Sequence, residues 1–276
     1  MRSIPSVHPE NVPTLPSAAL RDKFLVSGLF APGAIELAYW EVDRTILGGA
    51  VPLAAPLELT ADAELRAASF CARRELGVIN LGGAGAIETD GVRHAMAPLD
   101  GLYVGRGTQR VVFHSDDAAA PAKFYLLSYP AHREYPTRHI AVASLPGEQL
   151  GTAVMANQRR LRKYIAPGLV ESCQLVMGLT VLASGQVWNT MPCHTHMRRS
   201  EVYCYAGIAP DQAVFHFMGE PDATRHLVLH DLDVVISPSW SIHSGVGTAS
   251  YSFVWGMGGE NQEFADMDQV AIADLR

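Results

Sequence analysis

The stretch Met191-Pro192-Cys193-His194-Thr195-His196-Met197-Arg198-Arg199-Ser200-Glu201 sets two histidines one residue apart and a glutamate five residues after the second. Side chains on a β-strand alternate with period two, so His194 and His196 point to the same side. A four-residue turn then carries Glu201 onto the start of the next strand. Two imidazoles and a carboxylate suit Zn²⁺, Fe²⁺, Mn²⁺ or Ni²⁺. A fourth ligand must come from elsewhere in the same barrel, and His243 is the natural candidate. It follows a proline-containing turn, Pro238-Ser239-Trp240-Ser241-Ile242-His243, about forty residues later. Cys193 offers a rival thiolate ligand, but on a strand it faces away from both histidines and reads as a small buried apolar residue.

Outward from this stretch the texture is all-β. Glycines (24) and prolines (17) punctuate short runs rich in Val, Ile, Tyr and Phe, such as Ile35 to Val42, Leu76 to Leu81, Phe124 to Tyr129, Leu175 to Leu182 and Tyr251 to Trp255. Helical patterns are confined to short stretches, chiefly Ala61 to Ala72 and Gln158 to Ile165. A weak internal repeat relates the halves. Leu102 to Arg110 and Val235 to His243 each run from a strand into a turn and on to another strand. Similar closing strands follow, Ala122 to Leu126 and Ser250 to Val254. Two tandem small barrels with few short helices account for this, one large sandwich being the alternative. The pattern breaks at Ser144-Leu145-Pro146-Gly147, which divides the chain into residues 1–146 and 147–276.

The first half serves as an internal control. Arg110 falls at the place of His243 in the repeat, and no His-x-His occurs there, so the first barrel is expected to lack a metal. His94, His114, His132 and His139 are isolated, as are His8, His216, His226 and His230, and each reads as a surface or satisfied core histidine.

Composition narrows the function classes. The formal charge of −7 and pI near 5.9 argue against a nucleic-acid or anionic-membrane surface. The four cysteines form no CxxC pair and no dense framework, which suits reduced thiols and a cytoplasmic location. The N-terminus has no apolar core of a secretory signal, and no apolar run approaches a membrane span.

A cation held by three imidazoles and a carboxylate can chelate adjacent sugar oxygens and polarise a carbonyl, which acidifies the neighbouring C–H. That is the chemistry of aldose–ketose isomerisation through an enediol, and it requires a group that moves a proton between neighbouring carbons. Tyr203 and Tyr205, on the same face as Glu201, and Glu260, just past the closing strand, are candidates. Arg160, Lys163 and Arg199, with Arg198, are candidates to hold a substrate carboxylate.

The spacing resembles the two cupin motifs, HxH(x)4E and Px(G)xxH, with Trp240 where many cupins have glycine. At greater length the chain resembles the 5-keto-4-deoxyuronate isomerase family. The likeness runs through Arg74 to Asn80 with Gly82 to Gly85, Leu102 to Gly105, Trp188 to His196, Arg199 to Tyr203, Ile236 to Thr248, and Trp255 to Met257 with Gly259 to Gln262. The resemblance implies a two-cupin fold, one zinc per chain bound by His194, His196, Glu201 and His243, and a homohexamer. It also implies conversion of 5-dehydro-4-deoxy-D-glucuronate to 3-deoxy-D-glycero-2,5-hexodiulosonate in the breakdown of pectin or related polyuronates. An iron-dependent cupin dioxygenase and a non-catalytic sugar-binding cupin are the competing readings.

Overall fold

The computed structural model describes residues 1–276. The all-β expectation is borne out. Strands dominate, and the only α-helix is the eight-residue Ser17–Phe24. The chain divides into two compact units, and two stretches depart from a simple cut at Pro146. Pro5–Ser27 belongs to the second unit and Tyr164–Met177 to the first.

Each unit is a pair of sheets, one of seven strands and one of four. The first unit's larger sheet runs, in spatial order, Arg2–Ile4, Ile35–Trp40, Thr45–Ala50, Phe124–Pro130, Arg74–Asn80, Gly101–Val104 and Arg138–Ile140. The second unit's runs Glu148–Leu150, Arg159–Ile165, Val176–Leu182, Ser252–Gly259, Arg199–Ala206, Val234–Ser237 and Leu25–Val26. The smaller sheets match in the same way: Leu57–Glu58, Val111–Ser115, Gly85–Thr89 and Val92–Met96 correspond to Trp188–Asn189, Ser244–Gly247, Val214–Met218 and Arg225–Leu229. Strand for strand, the two orders coincide. This is the jelly-roll arrangement that the internal repeat suggested.

Register extends the correspondence to single residues. Leu76 lies opposite Val104, the last residue of its strand, and Glu201 lies opposite Ser237, the last residue of the matching one. Leu76 is therefore the counterpart of Glu201, Arg74 of Arg199, and Arg110 of His243. Counting back from these, Ser69 and Cys71 stand where the second unit has His194 and His196.

The interior of the first barrel is apolar at this level. Cys71 and Leu76 belong to a buried cluster with Phe70, Val78, Phe113, Phe124 and Leu126. Arg110 is exposed instead, paired with Glu58 at 3.1 Å and Glu88 at 2.7 Å. The first barrel is thus packed as a core at the level where the second gathers histidines.

One expected element is corrected. Gln158 to Ile165, which carried a helical pattern, forms the strand Arg159–Ile165. Arg, Leu and Lys are good helix formers, and the buried pair Leu161 and Tyr164 has helical spacing. The pull of the sheet decides otherwise, with Leu161, Arg160 and Arg159 lying opposite Glu148, Gln149 and Leu150. Ala61 to Ala72 forms only two short 3₁₀ turns, Ala63–Leu65 and Phe70–Ala72.

Phe113 is fully buried in the first core, its ring 5.3 Å from that of Phe124. Phe113→Ala should cost about 3 to 5 kcal/mol of stability, measured by urea unfolding, because the cavity it leaves cannot fully collapse.

Candidate metal centre

The strand His194–Thr195 pairs with Asp268–Gln269, so the stretch carrying the histidines is tied to the C-terminal segment. Glu201 sits on Arg199–Ala206, with its backbone opposite Met257 on one side and Ser237 on the other. His243 is fixed by the turn before it. The Ser241 N–H donates to Pro238 O at 2.9 Å, and the Ile242 N–H to Gly219 O at 2.9 Å. Trp240, in the place many cupins give to glycine, meets the ring of Phe24 edge-on at 6.1 Å.

The four side chains converge. His194 Nε2 is 3.1 Å from His196 Nε2, which is 3.1 Å from Glu201 Oε2. Glu201 Oε2 is 2.8 Å from His243 Nε2, which is 3.0 Å from His194 Nε2. All four residues are buried, and their ligand atoms lie within 4.8 Å of one another. No other such cluster of His, Cys, Asp or Glu occurs in the chain. Cys193 is buried and contributes no atom to it.

His196 Nδ1 lies 2.7 Å from Asp266 O, a carbonyl that can only accept, so the proton of the neutral imidazole sits on Nδ1. Its Nε2 lone pair then faces a carboxylate oxygen and a second imidazole nitrogen at 3.1 Å each. Acceptors held this close are well placed to share a cation. The residues can hold a metal ion, and the Nδ1–H bond to Asp266 O is the kind of outer support that orients a ligating histidine.

The electrostatics agree. Burial, reinforced by His243, lowers the His194 pKa to about 2, so its imidazole stays neutral and able to ligate. Burial alone would raise the Glu201 carboxyl, but the neighbouring His243 outweighs it and keeps the carboxyl ionised.

His194, His196 and Glu201 form part of the wall of a cavity of about 270 Å³, with His243 behind them. Arg159, Leu161, Thr190, Tyr203, Phe253, Trp255 and Gln269 supply much of the rest of the wall. Tyr203 is buried, its ring centroid 5.4 Å from that of His243, and its hydroxyl is 3.2 Å from Thr190 Oγ1. Burial and the neighbouring Glu201 charge raise its pKa well above 10, so its hydroxyl keeps its proton.

The other sequence candidates lie apart from the cavity wall. Tyr205 is fully buried, with its hydroxyl 2.7 Å from His216 Nδ1. His216, which had no signal beyond an ordinary core histidine, is fully buried, and burial lowers its pKa to about 3. Glu260 is exposed. Arg160 is exposed and its Nε donates to Gln149 Oε1 at 3.3 Å. Lys163 Nζ pairs with Glu148 at 3.4 Å and lies 4.2 Å over the Phe264 ring. Arg198 pairs with Asp266 and Asp268.

Arg199 is buried, and its guanidinium donates to the carbonyls of Glu263, Phe264 and Asp266. It therefore anchors the segment that supplies the hydrogen-bond acceptor for His196. Arg159 is the residue that sequence reasoning missed. It is half-buried, lines the cavity, and its one hydrogen bond goes from Nη1 to Asn157 O at 2.9 Å. Period-two alternation along Arg159–Ile165 would have singled out Arg159 and Leu161 together, had the stretch been read as a strand.

Arg199→Leu should release the segment Glu263 to Asp266 while leaving all four ligands in place. Metal affinity should fall about ten- to a hundredfold, the usual effect of removing an outer support. Competition with a chromogenic chelator would measure it.

Comparison with known proteins agrees with the geometry. Residues 30–274 match the model of the KduI/IolB family. A protein of Burkholderia cenocepacia named 4-deoxy-L-threo-5-hexosulose-uronate ketol-isomerase is 54% identical over 272 residues, 98% of each chain. One of the same name from Salmonella typhimurium is 50% identical over 273 residues, again 98% of each. Among solved structures, an IolB-like protein from Salmonella typhimurium superposes with a TM-score of 0.70 at 15% identity, covering 90% of this chain and 96% of that one. Oxalate decarboxylase from Bacillus subtilis gives 0.56 at 10% identity, covering 81% and 71%; these two likenesses speak to fold alone. With a family match across most of its length and relatives at half identity over nearly all of it, the chain belongs to the KduI/IolB family.

Proposed function

We propose that this protein is a zinc-dependent ketol-isomerase that converts 5-dehydro-4-deoxy-D-glucuronate to 3-deoxy-D-glycero-2,5-hexodiulosonate in polyuronate breakdown. The observation that carries this is the buried cluster of His194, His196, Glu201 and His243, three of which reach the wall of a cavity, in a chain half identical to named ketol-isomerases. Three imidazoles and a carboxylate suit zinc, although they also suit other divalent ions.

The reaction is internally balanced. A proton leaves the carbon bearing the hydroxyl, one is delivered to the former aldehyde carbon, and the hydroxyl proton passes to the other oxygen, with no external oxidant. The bound zinc would polarise the substrate carbonyl and so acidify the adjacent C–H. Tyr203 is the cavity's one titratable side chain besides the ligands and Arg159. With its proton retained, it can donate to the oxygen on which negative charge develops. Tyr205 and His216 pack behind it and hold its ring. Arg159 is assigned to the substrate carboxylate. It has no acidic partner of its own, whereas Arg160, Lys163 and Arg199 are exposed or engaged elsewhere. Phe253, Trp255 and Met257 limit water around the reacting carbons. The first barrel takes no metal in this scheme, its matching positions being Ser69, Cys71, Leu76 and Arg110. Four free thiols fit a cytoplasmic enzyme, and a homohexamer is the proposed assembly.

Removing the metal with a chelator should abolish ketose formation from the unsaturated-uronate breakdown product, and zinc should restore it, without consumption of O₂. His243→Ala should lower bound metal well below one per chain and abolish turnover. Full activity at full metal content in that variant would sink the site assignment. Arg159→Met should raise KM roughly ten- to a hundredfold, the loss of a charge-assisted hydrogen bond, with a smaller change in kcat. Steady-state kinetics would separate the two.

A further inference from the structure

The first barrel has a cavity of its own, of about 530 Å³, with a wall that includes Tyr39, Arg44, Arg73, Arg74, Phe70 and Pro130. Three guanidiniums meet there, with Glu64 as the acidic side chain in the wall. The central one is unusual in its setting. Arg74 is 7% exposed and belongs to no ion pair. Its Nε donates to Ser128 Oγ at 3.1 Å, and its Nη2 to Arg44 O at 2.6 Å and Ser128 O at 2.8 Å. Its Nη1 takes part in none of these bonds. A buried cation without a carboxylate is costly, and burial lowers its pKa to about 10, still leaving it charged at neutral pH.

The duplicated frame supplies a second, independent observation. Arg199 holds the matching register position in the other barrel, and there Nη1 and Nη2 both donate to the carbonyls of Glu263, Phe264 and Asp266. The chain itself thus satisfies the fork of the second arginine. The first is held by Nε and Nη2 only, and it lies in the wall of an open cavity. Arg44 is exposed on that same wall and makes no hydrogen bond through its side chain. Arg73 is held by the carbonyls of Leu65 and Arg66 through Nη2.

We propose that this cavity is a second ligand site, distinct from the metal centre, which binds the carboxylate of a small organic acid of sugar-acid size. The exposed Arg44 guanidinium, which makes no hydrogen bond of its own, can meet a carboxylate in two-point fashion, which a point charge cannot do, and Nη1 of Arg74 adds a further donor in the same wall. The tyrosine hydroxyl and the apolar wall of Leu65, Ala67, Phe70 and Pro130 suit the carbon skeleton of such an acid better than a bare inorganic ion. The cavity has room for a hexuronate. No residue of this site takes part in the isomerisation proposed above, so the two assignments stand or fall separately.

The test is calorimetric titration of the metal-loaded protein with D-galacturonate, a saturated uronate, and separately with inorganic phosphate. Two variants are compared with the parent chain: Arg74→Lys, which keeps the charge but removes the Nη1 donor, and Arg44→Ala, at an exposed position. The site predicts a uronate-binding event weakened at least tenfold in each variant, at unchanged metal content and unchanged kcat on the isomerase substrate. Uronate binding that is the same in the parent and in Arg44→Ala would overturn it. Equal affinity for inorganic phosphate would overturn the choice of an organic carboxylate. A shift in sedimentation on Arg44→Ala, with no change in uronate affinity, would also overturn it by putting an acidic side chain of a second copy in the cavity.

Discussion

Three imidazole nitrogens and a carboxylate oxygen held 2.8 to 3.1 Å from their neighbours make a pocket that could hold a cation, and the second barrel is organised around them. The four come from three kinds of support. His194 and His196 hang on a short strand tied to the C-terminal segment, Glu201 opens a central strand, and His243 follows a turn pinned to Gly219. Burial keeps His194 neutral, and the Asp266 carbonyl fixes which nitrogen of His196 is bare. The capacity to hold a cation is therefore a property of the fold as much as of the four side chains, because it is the backbone that brings them together.

The two barrels show how one frame carries two interiors. Strand order is identical, and register places Leu76, Cys71 and Arg110 where the other unit has Glu201, His196 and His243. In the first unit an apolar cluster closes the space, and the polar member of the set has turned outward to meet two glutamates. Burying apolar side chains at these positions stabilises one barrel at the level where the other gathers imidazoles. The arginines Arg74 and Arg199 show the reverse division, with Nη1 and Nη2 of Arg199 both held by carbonyls of the second unit and Nη1 of Arg74 outside the bonds its own unit makes.

Much of this was legible in the sequence because alternation in strands is a strict rule. His194, His196 and Glu201 declared themselves by spacing, His243 by a turn, and Arg110 by its place in the repeat. The same rule misled where it was not applied. Arg159 to Ile165 has the composition of a helix, so the face that meets the cavity was not sought, and Arg160 was chosen in place of its neighbour. Arg199 looked like a free charge because nothing near it in sequence shows the carbonyls of residues 263–266 closing on it. The cluster of Tyr205 and His216 was half visible, since a tyrosine on a known inward face can be placed but its partner from another strand cannot. No composition signal could have assigned Pro5–Ser27 to the second unit, because that depends on which sheet edge was left open.

That assignment has a bearing on how the protein is made. Leu25–Val26 completes the edge of the sheet that contains Glu201, beside Val234 and Val235, and Arg225 is held by the carbonyls of Val12, Pro13 and Leu15. The ribosome delivers these residues long before their partners, so the second barrel stays unfinished until Arg225, Val234 and Val235 have been synthesised. Its opening segment must wait, unpaired, through the emergence of more than two hundred residues. A fragment beginning after Pro146 would carry every metal ligand and still expose a bare strand edge, the kind of surface that recruits other chains into aggregates.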